Sequence, residues 1–549
     1  MGPDMISQTF RKLLRFVWFL PGFLLWAAYP PVGERADVLF ALAPLMWLSR
    51  REPSATLSAR RWFVSGAVFW VATLSWMPAI VKNGGPWAFV ALGWFALAAY
   101  CAAFFAAYGW LAARFWAWAR DFAEMRAARG RAGAYLVRLF GVLVAEPVLW
   151  CGLELVRSRF LGGFSWNQLG VVPINSGFGA PAALGGVYLC SAVVILINGT
   201  IAGIAERAWR PERSGFAALR RFGSLETLLA FGLVFGIYQV AGIVNCESET
   251  SENGERTLKV ALVQRNFPCV FKAQEENPYE VYGKLLENVA DLKPDLVVLP
   301  ESAMCEFGPV DQQGALRFAE WMEKKTGACL IAGGTRYAEG NSYNSAGLYG
   351  SNVDVQTYDK VHLVPFGEFI PGDKWFPALQ KFAPVGSCTP GELALLDFAG
   401  ESLGVAICFE DTDSAQVREL AQMGAKALVF ITNDSWFSHS IEAEQHAWQA
   451  VARAIETGLA VVRVGNSGVS GTITPSGRAT WLLGPNGRPL VDRRGTMFDR
   501  IKLREGTVPK TPYVIWGDTL LCVMFALFIL GQILVKYRHH YEKRRTVSV

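Results

Sequence analysis

Apolar residues run almost unbroken through the first half of this chain, and in the second half they shorten into stretches of five to eight separated by polar ones. A helix crossing a bilayer needs about 20 apolar residues, with a working range of roughly 17 to 25. Residues 13–29, 62–81, 87–113, 134–156, 182–204 and 225–244 meet that requirement, and residues 36–48 form a shorter partner to the first. Together they predict seven N-terminal spans, and residues 513–535 predict an eighth close to the C-terminus. Stretch 36–48 is short, and stretch 134–156 carries Arg138, Glu146 and Glu154, so an interfacial or re-entrant helix is the alternative for both. The first stretch is followed by further apolar stretches and lacks a small-x-small cleavage site, which makes it an anchor rather than a removable signal peptide. The start "MGPDMI" lacks the hydroxyl at its sixth position that N-myristoylation requires.

After the polar segment "CESETSENGER" the period changes. "TLKVALVQ", "DLVVLPES", "CLIAGGT", "SLGVAICFE" and "ALVFITND" read as strands, and "YEVYGKLLENVADL", "LRFAEWMEKKTG", "SAQVRELAQMG" and "EAEQHAWQAVARAIETG" read as helices between them. Strands that are apolar throughout and alternate with helices belong to buried sheets of a layered α/β domain. The expected organisation is a membrane bundle over residues 1–245, a linker over 246–256, an α/β domain over 257–511, and a final span with a basic tail over 512–549. About 250 residues suffice for one substantial core in the α/β domain.

Charge sets an orientation. The 549 residues include only 18% charged ones against 52% hydrophobic. Arg11, Lys12 and Arg15 precede the first span, Arg50, Arg51, Arg60 and Arg61 follow the second, and Arg114 to Arg131 follow the fourth. Arg207 to Arg221 follow the sixth, and "KYRHHYEKRR" follows the eighth. With eight crossings all these loops share one side, so the positive-inside rule puts both termini in the cytoplasm and the α/β domain outside. The net charge of +5 is largely accounted for by these loops and gives no reason to expect nucleic acid as a partner. Six of the ten cysteines, Cys246, Cys269, Cys305, Cys329, Cys388 and Cys408, fall in the external region. Their spacing shows no CxxC or metal-ligand pattern, so neither a zinc site nor a disulfide framework is expected.

Three residues carry candidate chemistry. Glu301 ends "DLVVLPE", Lys360 follows "VDVQTYD" and Cys408 ends "LGVAI", and each is delivered by an apolar strand to its C-terminal edge, where ligands collect in α/β sheets. Glu410, Asp411, Asp413 and Ser414 lie at the start of the following helix. A cysteine facing a helix N-terminus beside a lysine is expected to favour its thiolate. Taken singly, such a cysteine is more often a packed core residue, such a glutamate a loop cap, and such a lysine a solvated edge residue.

Taken together, "VLPES", "YDKVHLVPFGEFIPG" and "GVAICFED" resemble, in order, the three catalytic blocks of the nitrilase, or carbon-nitrogen hydrolase, superfamily. With seven spans before that domain and one after it, and with "FLGGFSWNQLG", "YNSAGLYG" and "TNDSWF", the chain resembles the apolipoprotein N-acyltransferase family over nearly its whole length. The resemblance implies an α-β-β-α sandwich carried by the membrane bundle, in which Cys408 is the nucleophile, Glu301 the general base and Lys360 the oxyanion partner. Glu368, Glu410, Phe409 and Asn344 would support the site, and Trp166, Phe271, Trp436 and Phe437 would touch lipid or substrate; an aromatic of that kind is also a common interface anchor.

The same resemblance implies phosphatidylethanolamine or a related phospholipid as acyl donor and diacylglyceryl-cysteine apolipoproteins as acceptor. It also implies a monomer in a bacterial inner membrane with its catalytic domain in the periplasm, and no metal or organic cofactor. Three positions depart from the family pattern. Phe409 stands where tyrosine is usual, Arg265 replaces a glycine, and Ala273 replaces a tryptophan, with Phe267, Cys269 and Phe271 beside them. The alternatives left open are a membrane-tethered amidase using the same triad, a catalytically silent paralogue that binds lipoproteins or lipids, and a transporter with Glu146 and Glu154 lining its bundle.

Overall fold

A computed structural model describes residues 18–126, 132–208, 225–249, 256–268, 276–350, 353–372, 387–503 and 510–547. Five helices among them are long and apolar enough to cross a membrane: Ala55–Asn83, Trp87–Met125, Ala132–Arg157, Ala182–Ala208 and Leu225–Asn245, with a shorter apolar helix, Thr519–Val535, near the end. The chain is a membrane protein with a multi-pass helical bundle.

The first predicted span is described only from Trp18, where its helix runs Leu20–Ala27 and stops ahead of Pro30 and Pro31. The second does not form one helix. Residues Arg35–Leu39 make a 3-10 turn and Ala43–Arg51 a nine-residue helix, with Pro44, which has no N–H to give a preceding turn, in its first turn. The last predicted span is split as well, into Pro512–Trp516 and Thr519–Val547, at Gly517 with φ +52°.

Ala132–Arg157 and Ala182–Ala208 form the buried centre of the bundle, and Leu225–Asn245 lies on its rim. Glu146, deep in that centre, accepts from Arg50 at 2.6 and 3.0 Å and from Trp116 Nε1 at 2.9 Å. Glu154 accepts from the Leu169 N–H at 2.9 Å. Both carboxylates that could have lined a transport path are thus engaged inside the bundle.

Among the described residues the α/β domain contains two six-stranded sheets. Strands β1 (Arg256–Gln264), β2 (Leu296–Val298), β3 (Cys329–Ala338), β4 (Asn341–Gly350), β5 (Val353–Asp359) and β12 (Gly495–Leu503) stand in the order β12-β1-β2-β3-β4-β5. Strands β6 (Leu395–Phe398), β7 (Glu401–Ile407), β8 (Ala427–Thr432), β9 (Val461–Gly465), β10 (Gly471–Ile473) and β11 (Ala479–Trp481) stand in the order β11-β10-β9-β8-β7-β6. The central pairs β1–β2, β2–β3, β7–β8 and β8–β9 are parallel.

Side-chain alternation sets the layers. Leu258, Val260 and Leu262 of β1 meet Leu403, Val405 and Ile407 of β7 between the sheets, while Ala261 and Val263 face helices Pro278–Leu286 and Gln313–Thr326. On the other side Ala406 and Phe430 face helices Ser414–Met423 and Glu442–Thr457, and that helical layer shares one continuous core with Trp70, Trp166, Val187 and Tyr188 of the bundle. This is the expected α-β-β-α sandwich, with one helical layer pressed on the membrane part.

The helix Glu442–Thr457 makes that junction. Every residue in it except Glu444 and Trp448 is buried. Gln445 donates to the Pro30 and Thr73 carbonyls and accepts from Trp166 Nε1 at 2.9 Å. Glu456 accepts from the Val187 N–H at 2.8 Å, a donor left free because the backbone of Ala182–Ala208 leaves the helical conformation at Gly185 and Gly186. Gly186 has φ +67°, and a Cβ there would stand 2.6 Å from the Tyr513 ring, so glycine is required on both counts.

Candidate active site

Three strand ends converge where the sheets meet. Glu301 lies three residues beyond β2, Lys360 directly follows β5, and Cys408 directly follows β7. Glu301 and Lys360 are buried, and Cys408 is partly exposed. Cys408 has φ +55°, a conformation that costs a non-glycine residue on the order of 1 to 3 kcal/mol and persists only where the surroundings enforce it.

Glu368 and Asn344 complete the cluster. Lys360 Nζ lies 3.0 Å from Glu368 Oε1 and 3.9 Å from Glu301 Oε1. Asn344 Nδ2 donates to Glu301 Oε1 at 2.7 Å and to Glu368 Oε1 at 2.6 Å, which commits both its N–H groups to carboxylates. The other Glu368 oxygen accepts from the Val364 N–H at 2.7 Å, so the loop after Lys360 folds back around its own glutamate.

Electrostatics assigns the protons. Burial raises the Glu301 carboxyl above its ordinary range, with Lys360 opposing and Glu368 adding to the effect. Lys360 is raised despite its burial, because Glu368 and Glu301 hold its charge. The Cys408 thiol is pushed well above its ordinary value, first by burial and next by Glu301, with Lys360 opposing. The expectation of a resting thiolate is therefore corrected: the sulfur is held neutral first by burial and next by the Glu301 carboxylate, which together outweigh Lys360. The N-terminus expected to favour a thiolate is also displaced, since Cys408–Thr412 is a single 3-10 turn and the helix begins at Ser414, capped by Asp413. Moving the thiol proton to Glu301 leaves the net charge of the cluster unchanged, so the transfer avoids burying a new charge.

Glu410 has a different task from the three central residues. Its Oε1 accepts from the N–H groups of Val361 and His362 at 2.7 and 3.0 Å, its Oε2 from the Ile407 N–H at 2.7 Å, and both from the Tyr358 hydroxyl. One fully buried carboxylate thus ties the residues after Lys360 to the residue before Cys408.

Phe409 faces the bundle. Its ring lies nearly parallel to Trp166 (9°, centroids 6.5 Å apart) and to Phe164 (16°, 6.2 Å), and His362 meets its edge at 5.6 Å. The His362 Nε2–H donates to the Gly162 carbonyl at 3.0 Å. Trp166 is buried in this stack and against Trp76, and Phe437 packs on Trp76 at 4.7 Å. The Trp436 carbonyl accepts from Asn83 Nδ2 at 2.8 Å. Trp166 and Phe437 therefore sit in the packing between domain and bundle. Phe271 and Ala273 lie outside the described residues.

Arg265, which replaces the expected glycine, is buried and pairs with Glu306, with its guanidinium 5.2 Å from the Tyr282 ring and 5.7 Å from Phe267. Four buried groups behind Cys408 went unread in the sequence, Asp434, Glu442, His446 and Arg463, and a fifth, Asp411, was read only as a residue at the start of the following helix. His446 Nε2 lies 3.0 Å from Asp411 and its Nδ1 2.9 Å from Asp434. Between two carboxylates the imidazole is raised to about 10 despite burial. A signal was present, since "EAEQHAWQAVARAIE" repeats polar residues at positions 442, 445, 446, 449, 453 and 456, a helical stripe too polar for a face packed only on the sheet.

Two family profiles match the chain. Residues 21–200 match the apolipoprotein N-acyltransferase N-terminal domain, and residues 259–496 match carbon-nitrogen hydrolase. An apolipoprotein N-acyltransferase of Geobacter metallireducens is 29% identical over 498 residues, covering 86% of this chain and 87% of the relative. One of Nitrosomonas europaea is 29% identical over 548 residues, covering 96% and 97%. Among solved structures, an amidase of the nitrilase superfamily from Nesterenkonia AN1 is 18% identical, covers 48% of this chain and 95% of that one, and gives a TM-score of 0.35.

Proposed function

Since the chain belongs to the apolipoprotein N-acyltransferase family and is an acyltransferase with a carbon-nitrogen hydrolase fold, we propose that it moves an acyl chain from a phospholipid to a lipoprotein through a thioester on Cys408. The reading is carried by one observation: a neutral, strained Cys408 among Glu301, Lys360, Glu368 and Asn344, in a domain whose helical layer is fused to a membrane bundle.

Glu301 takes the thiol proton as the sulfur attacks the ester carbonyl, and passes it to the departing lysophospholipid oxygen. Lys360 and the amides beside Cys408 stabilise the oxyanion, at about 3 kcal/mol for one such donor. The α-amine of a diacylglyceryl-cysteine then attacks the thioester, Glu301 accepts its proton and returns it to sulfur, and an amide is released. Asn344 and Glu368 fix the base and the lysine in the geometry both steps share. Both substrates are lipids, and a site at the junction of domain and bundle confines them beside the sulfur. The donor proposed is phosphatidylethanolamine, and the enzyme is placed as a monomer in a bacterial inner membrane, with cytoplasmic termini and a periplasmic domain.

Intact-mass analysis after incubation with phosphatidylethanolamine tests this reading. One added acyl chain on the wild type and none on Cys408→Ser supports it; no adduct on either sinks it. Adding an acceptor together with phospholipid labelled in its acyl chain separates transfer from hydrolysis: label accumulating as free acid, with no acylated acceptor, would replace the transferase reading with an amidase-like one.

A further inference from the structure

His362, two residues beyond Lys360, touches three parts of the molecule. Its N–H donates to Glu410 Oε1 at 3.0 Å, and its ring stands edge-on to Phe409 with centroids 5.6 Å apart. Nδ1 lies 3.4 Å from Asp413 Oδ2, and Nε2 lies 3.0 Å from the Gly162 carbonyl of the bundle. The other Asp413 oxygen accepts from the Ala415 and Gln416 N–H groups, which keep that carboxylate ionised as the cap of helix Ser414–Met423. A carbonyl and a carboxylate can only accept, so both ring nitrogens have to carry a proton. A neutral imidazole would turn a lone pair toward one of them. The charged groups facing the ring are Asp413 and Glu410; Asp413 first, with Glu410 and the Gly162 carbonyl adding, raises His362 against the cost of burial. The side chain is 22% exposed, so protons from water can reach it.

The Gly162 end of this contact is a constrained loop. Leu161, Gly162 and Gly163 follow one another at φ +54°, +90° and +77°. A left-handed leucine persists only where its surroundings enforce it. From the bundle side the Tyr100 hydroxyl donates to the Phe160 carbonyl at 2.9 Å, and from the domain side His362 donates to Gly162. Held in this way, the loop leaves Phe160 and Leu161 54% and 78% exposed, directly before Phe164 and Trp166, which stack on Phe409 beside the nucleophile. A single ring thus joins the Lys360 segment, the turn that carries Phe409, and an apolar lip of the membrane part.

We propose that His362 is a positioning residue for the acyl donor: as an imidazolium it pins loop 160–163 to the Lys360 segment and fixes the lip of Phe160 and Leu161 that guides an acyl chain toward Cys408. Without the second proton one of its two ring bonds breaks. Losing the bond to Gly162 frees the lip, and losing the bond to Asp413 lets the ring leave Phe409. In either case the donor is held less well, while Glu301 and Lys360 keep their partners Asn344 and Glu368. The effect falls on donor binding and not on bond-making at sulfur. The idea rests on Cys408 accepting an acyl chain from phospholipid.

The experiment follows acylation of Cys408 by intact mass in the full chain, in mixed micelles of detergent and phosphatidylethanolamine, over lipid mole fraction and between about pH 6 and 8.5. In the wild type the half-saturating lipid fraction is expected to rise as pH passes the His362 midpoint, which lies above 6.5. His362→Ala is expected to raise it about tenfold at the acid end, with the saturated rate within about twofold of wild type, because a bond from a charged donor is lost. His362→Gln, which offers an N–H to Gly162 and has no proton to lose, is expected to stay within about threefold of the wild-type value at the acid end and to show no pH dependence of half-saturation. Wild-type half-saturation in His362→Ala, a loss confined to its saturated rate, or wild-type pH dependence in His362→Gln overturns the proposal while leaving the thioester reading in place. NMR of labelled histidine in the wild type decides the matter even where His362→Ala fails to fold. The chain has five histidines, the His362 signal is the one missing from His362→Gln, and a midpoint at or below 6.5 overturns the proposal. A wild type that forms no acyl adduct at any pH defeats the underlying reading instead, so the two failures are distinguishable.

Discussion

Replacing Glu410 by glutamine removes one charge and one acceptor while keeping the shape, and it separates a structural clamp from a chemical participant. The remaining carbonyl oxygen can keep the Val361 and His362 N–H groups, at 2.7 and 3.0 Å, only by turning the new NH2 toward the Ile407 N–H, where the carboxylate accepted at 2.7 Å. The Ile407 donor then loses a charge-assisted bond worth roughly 1.5 to 3 kcal/mol and stays buried without an acceptor, for a sum of about 3 kcal/mol. At 1.4 kcal/mol per factor of ten, local opening becomes roughly a hundredfold more frequent. Global unfolding of a chain this large is not two-state, so the measurement is amide hydrogen exchange at Ile407, Val361 and His362 in the full chain. Faster exchange at those amides, with transfer reduced and its pH profile unmoved, is the expected result. Unchanged exchange together with abolished transfer would refute the clamp and put Glu410 into the chemistry.

Arg265→Gly, which restores the residue usual in the family, is expected to cost about 2 to 3 kcal/mol, because it strips the partner from Glu306 and the cation from two rings; limited proteolysis of the loop after Glu301 reads this, and added Glu306→Gln should recover part of the loss. His446 is raised from 6.5 to about 10, so its contribution to stability is complete below about pH 6.5 and is lost as pH climbs through 10. Thermal inactivation midpoints should fall over that interval in the wild type and stay flat in His446→Gln; equal slopes would show that the buried imidazole is not the titrating group.

Residues whose role is set by their own strand were legible in the sequence. Glu301, Lys360 and Cys408 each follow an apolar run that reads as a buried strand, and four of the five long apolar helices were plain from length alone, the fifth, Ala132–Arg157, being obscured by its charged residues. The α-β-β-α arrangement needed the family resemblance, since spacing shows strands and helices but not which sheet each strand joins. What escaped were roles created by distant partners. The charged face of Glu442–Thr457 looks solvent-exposed until the bundle, more than 200 residues earlier, supplies Trp166 and Val187 to bury it. Phe409 read only as a departure from the usual tyrosine, yet its ring is laid flat on Trp166 and Phe164. The resting state of the thiol escaped too, because Lys360 is visible beside it in the motifs while the depth of burial is not. For the second stretch, where an interfacial or re-entrant helix was the alternative, hydropathy does not weigh Pro44, which starts a helix where a single continuous one would need its N–H.

The continuous core joining Ala406, Phe430, Val451 and Ile455 to Trp70, Tyr188 and Val187 has a consequence for how the protein is made. The catalytic layer cannot finish folding alone, because the surface it buries is supplied by helices synthesised before it. The ribosome delivers those helices first, and residues 256–503 then mature against a partner already seated in the lipid. The apolar helix Thr519–Val535 arrives last and packs Phe525 beside Gly152, fastening the second end of the domain. An excised catalytic fragment would emerge with a large apolar face and no membrane to receive it, so attempts to produce it as a free-standing soluble enzyme should end in aggregation.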